Sequence, residues 1–169
     1  MKNLHVRIDD RLIHGQIIAS WARTLNIGSI IAIDNELSKN EMLKNILLMG
    51  VPKEYNPRIV DQDEAIKLVK RDIEKSNIML ITRFAKNLKD LKNLVIEAKE
   101  VNIGNCSKQS DTIYISKGIG VGQVLSFSEE DVEVLDFLFD NGVNVIFQQM
   151  PSDKLVNWPA LKKKLKKLK

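Results

Sequence analysis

Short apolar runs rich in β-branched residues alternate with amphipathic stretches along the chain, and this alternation limits its fold more than any other feature. Several of the runs are continuously apolar, as is typical of strands covered on both faces. Single helices between successive strands require right-handed crossovers. The sequence therefore predicts one doubly wound α/β domain: an open, twisted, mostly parallel sheet of about six or seven strands with helices on both faces. The runs that predict strands are 3–8, 29–33, 57–60, 77–82, 101–103, 112–116 and 143–148.

Capping residues predict where several of the helices begin. Ser38 and Glu41 form a capping-box pattern before one helix, and Asp61 precedes the next. Apolar residues spaced along 88–98 predict the stripe of a further helix. Ser128 is expected to start the helix that leads into the last predicted strand.

The net charge of +4 comes from the C-terminal end. Residues 161–169, LKKKLKKLK, hold six lysines, and the remaining chain has 20 basic against 22 acidic residues. We therefore assign 1–160 to the domain and 161–169 to a lysine-rich tail that continues a last helix beginning after Pro151. The tail is either a solvated helix end or a contact for anionic lipid or an acidic partner. It lacks interleaved aromatic residues and any base-reading motif, so we expect no nucleic-acid binding.

The chain lacks several sequence features, and their absence predicts its cellular compartment and its cofactor content. Its longest apolar runs are too short to cross a bilayer, and its first residues do not have the layout of a signal peptide. The single cysteine, Cys106, excludes an internal disulfide and is typical of a cytoplasmic protein. We expect Cys106 to be a small buried residue. Two histidines and one cysteine form no recognisable ligand set, so no metal or other cofactor is predicted.

The loop after the first predicted strand, DDRLIHG, is where polar and charged residues concentrate. In doubly wound sheets, ligands bind beyond the carboxyl ends of the strands. His14 and Gly15 lie at the start of a predicted helix, where free N–H groups and the helix dipole favour an anion. A neutral imidazole is a competent nucleophile near pH 7 and can hold a phosphoryl group as a phosphoramidate. Arg11 would neutralise the phosphoryl oxygens in a transition state that is mostly charge stabilisation.

Residue chemistry alone leaves two interpretations of this loop open. A lone histidine in a turn is usually structural or solvated, and two aspartates before a helix are often caps. In the catalytic interpretation, Asp9 or Asp10 orients Arg11 or the imidazole, and Gly15 lets the backbone approach the phosphoryl oxygens. The chain has no GxxxxGK[ST] loop, so a nucleotide need not be the donor.

The stretch RIDDRLIHGQ, residues 7–16, resembles the signature of the IIB components of the mannose, fructose and sorbose family of the bacterial phosphotransferase system (PTS). Four more stretches resemble family segments in the same order: SIIAIDNELSKNEM (29–42), VNIGN (101–105), YISKGIGV (114–121) and QQMPSDK (148–154). The resemblance implies the fold inferred above and a cytoplasmic phosphocarrier, a phosphohistidine–sugar phosphotransferase that works at the inner face of the membrane. In this family a histidine takes the phosphoryl group from the phosphohistidine of a IIA domain. It passes the group to a sugar bound by the membrane components IIC and IID.

Carried over by position, the resemblance makes His14 the phosphorylated residue and Arg11 its charge partner. Where many members have a glycine pair after the fifth strand, this chain has Gly104 and Asn105, in a loop expected to face the phosphohistidine. A regulatory binding module of the same fold, without sugar phosphotransfer, is the alternative function, and a homodimer is left open. The supporting residues are Arg7, Asp9, Asp10, Gly15 and Gln16, and the candidates for lining the crevice are Asp34, Asn35, Thr82, Arg83, Gly104 and Asn105.

The other histidine, His5, falls inside the first predicted strand. We expect it to have a structural role, with its side chain pointing away from the surroundings of His14.

Overall fold

The computed structural model describes residues 3–119 and 123–168, without the side chains of residues 16 and 117–119. Three 3₁₀ helices cover Leu37–Lys39, Lys53–Tyr55 and Ala85–Leu91. The strands are β1 (Leu4–Asp9), β2 (Ile27–Ile33), β3 (Arg58–Val60), β4 (Asn77–Thr82), β5 (Glu100–Asn105), β6 (Tyr114–Ile119), β7 (Gln123–Phe127), β8 (Val145–Phe147), β9 (Val156–Asn157) and β10 (Leu165–Lys167). The α-helices are α1 (Gly15–Thr24), α2 (Glu41–Leu48), α3 (Gln62–Asp72), α4 (Lys92–Val95), α5 (Glu129–Asp140) and α6 (Trp158–Lys162).

β1 lies at the centre of a seven-stranded sheet with the order β3-β2-β4-β1-β5-β8-β9. Every pair in it is parallel except β8–β9. The doubly wound, mostly parallel fold that the sequence predicts is therefore confirmed. The strand expected at 112–116 is not part of this sheet, because it forms β6 of a separate antiparallel sheet with the order β10-β6-β7. Only three residues separate β6 from β7, and a parallel connection needs a dozen or more.

Alternation along β1 assigns its side chains to the two faces of the sheet. Leu4, Val6 and Ile8 enter the larger core cluster, which also holds buried apolar residues of α3, α5 and the small sheet. The odd-numbered residues face α1, where Trp21 lies over Arg7. His5 is on this same face, so the expectation that it points away from the surroundings of His14 is wrong. It is buried at the far end of the strand, with Nδ1 2.7 Å from Glu100 Oε1.

Two of the predicted helix starts are confirmed and one is wrong. Asp61 caps α3, and Ser128 caps α5 in a capping box with Asp131. The cap of α2 is Asn40, whose Oδ1 accepts from the backbone N–H of Leu43 at 3.1 Å. Ser38 lies instead in the preceding 3₁₀ turn, which ends before α2 can start. The helix expected along 88–98 is split into a 3₁₀ helix and the short α4.

The lysine-rich end does not continue a helix, contrary to expectation. After α6 the chain forms β10, which pairs antiparallel with β6. Leu161 is fully buried and Leu165 packs against the larger core cluster, while Lys162 binds Asp136 at 2.7 Å. The pairing satisfies backbone groups along an edge of β6 that would otherwise be exposed.

Within residues 3–119 and 123–168, no helix is long and apolar enough to cross a membrane.

Candidate active site

The carboxyl end of β1 opens into a crevice of the sheet. The chain leaving β1 passes to α1 on one face, and the chains leaving the neighbouring β4 and β5 pass to segments packed on the other face. Such divergence of neighbouring connections creates the binding crevice of doubly wound sheets. The loop DDRLIHG therefore lies where the fold places ligands.

Two apolar residues anchor this loop to the protein. Leu12 donates its backbone N–H to the carbonyl of Asp9 at 2.9 Å and has a left-handed φ of 61°. A leucine in that conformation costs about 1–2 kcal/mol. Leu12 and Ile13 are buried in the core beneath α1, and this burial holds the turn in place. The charged residues of the loop are thereby left at the crevice.

The carboxylate of Asp9 is the centre of the polar network. It is buried, with a relative exposure of 1%. Its Oδ1 accepts from the backbone N–H and Nε of Arg11, both at 3.1 Å, and its Oδ2 accepts from Arg11 Nη2 at 3.2 Å. Oδ2 also accepts from Nη2 of Arg7 at 3.4 Å. Asp9 is therefore a buried anion between two guanidinium groups rather than a helix cap.

His14 precedes α1 in an extended conformation, with one ring nitrogen turned inward. Nε2 is buried and lies 3.7 Å from Asp9 Oδ2, while the side chain as a whole is 28% exposed. Burial and the positive charge of Arg11 lower the pKa of His14 from its ordinary value of 6.5, and Asp9 opposes them only in part. The imidazole is therefore neutral at neutral pH and keeps a nucleophilic lone pair.

Arg7 connects the site to the segment that follows β8. It is buried, and it donates to the backbone carbonyls of Gln149 at 3.1 Å and Gln148 at 3.5 Å. Nε1 of Trp21 donates to the same Gln149 carbonyl at 2.8 Å, and the Trp21 ring packs against the Arg7 guanidinium. Sequence reasoning missed these three partners as parts of the site. The available signal was QQMPSDK, which follows a strand ending at the same sheet edge.

Asp10 connects the His14 loop to the segments that follow β4 and β5 by hydrogen bonds, and its carboxylate does not pair with His14. Its Oδ1 accepts from Asn105 Nδ2 at 2.5 Å, and its Oδ2 accepts from the backbone N–H of Ser107 at 2.7 Å and from the Ser107 hydroxyl. Its backbone carbonyl accepts from Nη1 of Arg83 at 2.6 Å. Ser107 is a second contributor that sequence reasoning missed.

The two residues at the end of β5 have different surroundings. A side chain at Gly104 would overlap the Arg7 guanidinium and the Asp9 carboxylate, so this position needs glycine. Asn105, which departs from the glycine pair, directs its amide to Asp10. The asparagine at this position therefore gives the His14 loop a hydrogen bond that a glycine could not provide.

The glycine at the start of α1 is required by a packing contact. A Cβ at Gly15 would overlap the backbone carbonyl of Gly50, directly after the C-terminal end of α2. We expected this glycine to let the backbone approach a phosphoryl group, and the structure gives it a different neighbour. Only the backbone of Gln16, in the first turn of α1, is described.

The remaining candidates lie beside the His14 loop. Asp34, Asn35 and Arg83 line a cleft of about 540 Å³ at the ends of β2 and β4. Arg83 Nε donates to Asp34 Oδ2 at 2.8 Å. Although burial acts in the opposite direction, hydrogen bonds from the Leu37 backbone N–H and from Arg83 hold the pKa of Asp34 below its usual value. Thr82 is buried and accepts from Asn87 at 3.2 Å, so it does not line the cleft.

The lone cysteine does not add a second nucleophile to the site. Cys106 is buried, and burial raises the pKa of its thiol well above the ordinary value, so the thiolate nucleophile is disfavoured. Within residues 3–119 and 123–168, no group of three or more histidine, cysteine or acidic side chains is arranged to hold a metal ion.

Comparison with known proteins identifies the family. Residues 4–169 match the family model of the PTS system sorbose subfamily IIB component. The chain belongs to this family. IIB components are phosphotransferases of PTS sugar transport, and they work with IIA domains and the membrane components IIC and IID.

Relatives of this IIB chain differ in the sugar that their names carry. It is 27% identical to the N-acetylgalactosamine-specific phosphotransferase enzyme IIB component 1 of Escherichia coli K12, over 89% of this chain and 92% of that one. It is 28% identical to the fructose-specific EIIB component of Bacillus subtilis 168, over 87% of each chain. The crystal structure of manxB from Thermoanaerobacter tengcongensis superposes with a TM-score of 0.77 at 27% identity, covering 97% of this chain and 98% of that one.

Proposed function

We propose that this IIB chain is a cytoplasmic phosphocarrier in which His14 takes a phosphoryl group from the phosphohistidine of a IIA domain. It then passes the group to a sugar bound by IIC and IID at the inner face of the membrane. The observation that carries the proposal is the arrangement around His14. A neutral imidazole turns one nitrogen toward a buried carboxylate, and that carboxylate grips the neighbouring Arg11 with both oxygens.

Asp9 selects the nitrogen that reacts. A carboxylate 3.7 Å from Nε2 favours the tautomer in which Nε2 carries the proton, as the aspartate of a serine-protease triad does for its histidine. Nε2 is also buried, so an incoming phosphoryl group cannot reach it, and the part of the ring that reacts is the other nitrogen, Nδ1. We therefore assign Nδ1 as the phosphoryl acceptor.

The transfer exchanges one P–N bond for another. The lone pair of Nδ1 attacks phosphorus as the bond to the donor imidazole breaks. The donor ring, protonated on its other nitrogen, leaves as neutral imidazole with the bonding electron pair. The positive charge that the His14 ring acquires is stabilised by Asp9 beside Nε2. In the onward step a sugar hydroxyl attacks the same phosphorus as the P–Nδ1 bond breaks. The bonding electron pair returns to Nδ1, which restores neutral His14, and the hydroxyl proton passes to solvent.

Arg11 supplies positive charge where the phosphoryl oxygens pass. Asp9 holds Nε and Nη2, which fixes the plane of the guanidinium, while the side chain stays 39% exposed at the crevice. Phosphoryl transfer depends mainly on such fixed charges and on positioning. Because Asp9 also binds Arg7, one carboxylate orders both arginines and the imidazole.

A relative supports the identity of the donor. The mannose-specific EIIAB component of Escherichia coli K12 is 24% identical over 165 residues, and this chain matches 48% of its length. Its name places IIA and IIB in one polypeptide. We infer that a separate IIA domain serves this chain in the same way.

The proposal is tested by following phosphate from phosphoenolpyruvate through the general phosphocarrier proteins and a cognate IIA. The chain should gain an acid-labile, base-stable adduct, which His14→Ala should lose. His5→Gln is the matched control, since it changes the only other histidine, and it should be phosphorylated normally. Normal phosphorylation of His14→Ala would refute the proposal. Membranes with matching IIC and IID should then yield sugar phosphate, whereas a purely regulatory module would yield none.

A further inference from the structure

The outward face of α2 exposes several large apolar side chains. None of the residues of α2 is buried. Met42 is 69% exposed, Ile46 56%, and Met49, directly after the helix, 83%. Positions four and three residues apart share one side of a helix, so these side chains form a single stripe, with Leu43 at its border. We call these four residues the α2 patch.

A patch of this kind is a feature that folding does not require. Leu47 and Leu48, on other sides of the helix, already pack against the core beneath α1. Single exposed apolar residues are ordinary, but contiguous ones bordered by polar groups mark interaction surfaces. The border here includes Glu41 and Lys44, which pair with each other at 2.9 Å. An apolar centre with a polar rim is the usual composition of a protein interface.

The α2 patch adjoins the phosphoryl-acceptor loop. The Gly50 carbonyl packs against Gly15, the residue after His14, and Gly50 directly follows Met49. A standard interface covers about 800 Å² of each partner, a disc of roughly 16 Å radius. A helix of eight residues is about 12 Å long. A partner centred on His14 with an ordinary footprint therefore reaches the α2 patch.

We propose that the α2 patch is a docking surface for the IIA phosphoryl donor; this assignment rests on the proposed function. The donor's phosphohistidine must reach His14, so its surface must cover the surroundings of the loop. A second copy of this chain bound there would instead block access to the acceptor. Methionine suits the task, because its flexible thioether side chain adapts to differently shaped partners. A phosphocarrier needs this adaptability, because a donor and an acceptor bind in succession around the same histidine.

The test separates docking from chemistry by using two phosphoryl donors. Ile46→Lys combined with Met49→Lys keeps helix propensity while adding two charges to the α2 patch. With phosphorylated IIA, the KM should rise at least tenfold and kcat should stay within about threefold. With phosphoramidate, which needs no docking surface, His14 should be phosphorylated at the unmodified rate. Phe139→Lys is the matched control, because Phe139 is 40% exposed on α5, a helix that packs on the opposite face of the sheet. The KM of this variant for IIA should not change.

Three results would overturn the assignment. The KM for IIA could stay unchanged in the double variant. Only the later transfer to IIC and IID could be impaired, which would make the acceptor the occupant. The unmodified chain could sediment as a dimer that the double variant breaks, which would make a second copy the occupant. Failure of both donors to phosphorylate the unmodified chain would instead refute the proposed function itself. If the double variant unfolds at a lower urea concentration than the unmodified chain, the KM comparison is repeated with Met49→Lys alone, at the most exposed position of the α2 patch.

Discussion

The buried Nε2 of His14 lies 3.7 Å from Oδ2 of Asp9, an oxygen that accepts hydrogen bonds from Arg7 and Arg11. This relationship joins the nucleophile to both cations through one carboxylate. It explains how a short polar loop is ordered by the side chains of its own residues and of β1. It also makes the aspartate, whose role the sequence left open, the residue on which the rest of the site depends.

Replacing Asp9 by asparagine should impair both stability and transfer. Arg7 would stay buried without its carboxylate, and removing one partner of a buried ion pair costs about 3–5 kcal/mol. The Nε2–H tautomer would lose its support, so we expect phosphoryl acceptance to slow at least ~100-fold. Urea unfolding and single-turnover transfer from IIA measure the two effects. Asp72→Asn is the control for the rate, because Asp72 also binds two arginines but outside the site, so this variant should leave transfer unchanged.

The acceptance rate should be insensitive to pH down to values where an ordinary histidine is already protonated. The pKa of His14 is lowered from 6.5 by burial and by Arg11, so the neutral, reactive form persists as the pH falls through 6.5. Only below its lowered pKa does protonation remove the lone pair. An NMR titration of the His14 ring, with transfer rates at the same pH values, checks this prediction. A titration midpoint above 6.5 would contradict it.

Arg11→Lys should keep a positive charge and still react slowly. An ammonium group cannot grip both oxygens of Asp9 as the guanidinium does, so the charge would no longer be fixed beside the imidazole. We expect about tenfold slower transfer for lysine and about 10²–10³-fold for alanine, with the fold retained. Arg71→Ala removes a similar two-atom grip on Asp72 far from the site and should not change the rate. Equal rates for Arg11→Ala and the unmodified chain would exclude the role.

Gly15→Ala should destabilise the protein, although alanine is the better helix former. The added methyl group would overlap the backbone carbonyl of Gly50, and such overpacking costs about 1–3 kcal/mol. Gly50→Ala tests the same contact from the other side. A Cβ there would have its nearest neighbours, in Gly15, at 3.9 and 4.0 Å, which is ordinary contact. That variant should stay within about 0.5 kcal/mol of the unmodified chain in urea unfolding.

The sequence predicted what local patterns determine. β1, the caps Asp61 and Ser128, and the place of the His14 loop after a central parallel strand all follow from neighbouring residues. Ser38 failed as a cap because Asn40, two residues later, is an equally good one and lies beyond the 3₁₀ turn.

What the sequence could not predict depends on contacts between distant parts of the chain. Trp21 donates to Gln149, 128 residues away, and Asp10 accepts from Asn105, 95 residues away. The spacing of the lysine-rich end suits a helix, but pairing with β6 makes it a strand. The sequence predicted Gly15 as a phosphate contact, because no residue near it in sequence indicates that it packs against the Gly50 carbonyl.

The most direct test of the proposed function is to locate the phosphoryl group on the chain. After phosphorylation by IIA, ³¹P NMR and mass spectrometry of peptides under alkaline conditions identify both the residue and the ring nitrogen. We predict a single phosphohistidine, at His14, with the phosphoryl group on Nδ1. Phosphate on His5, on a residue other than histidine, or on Nε2 of His14 would contradict it.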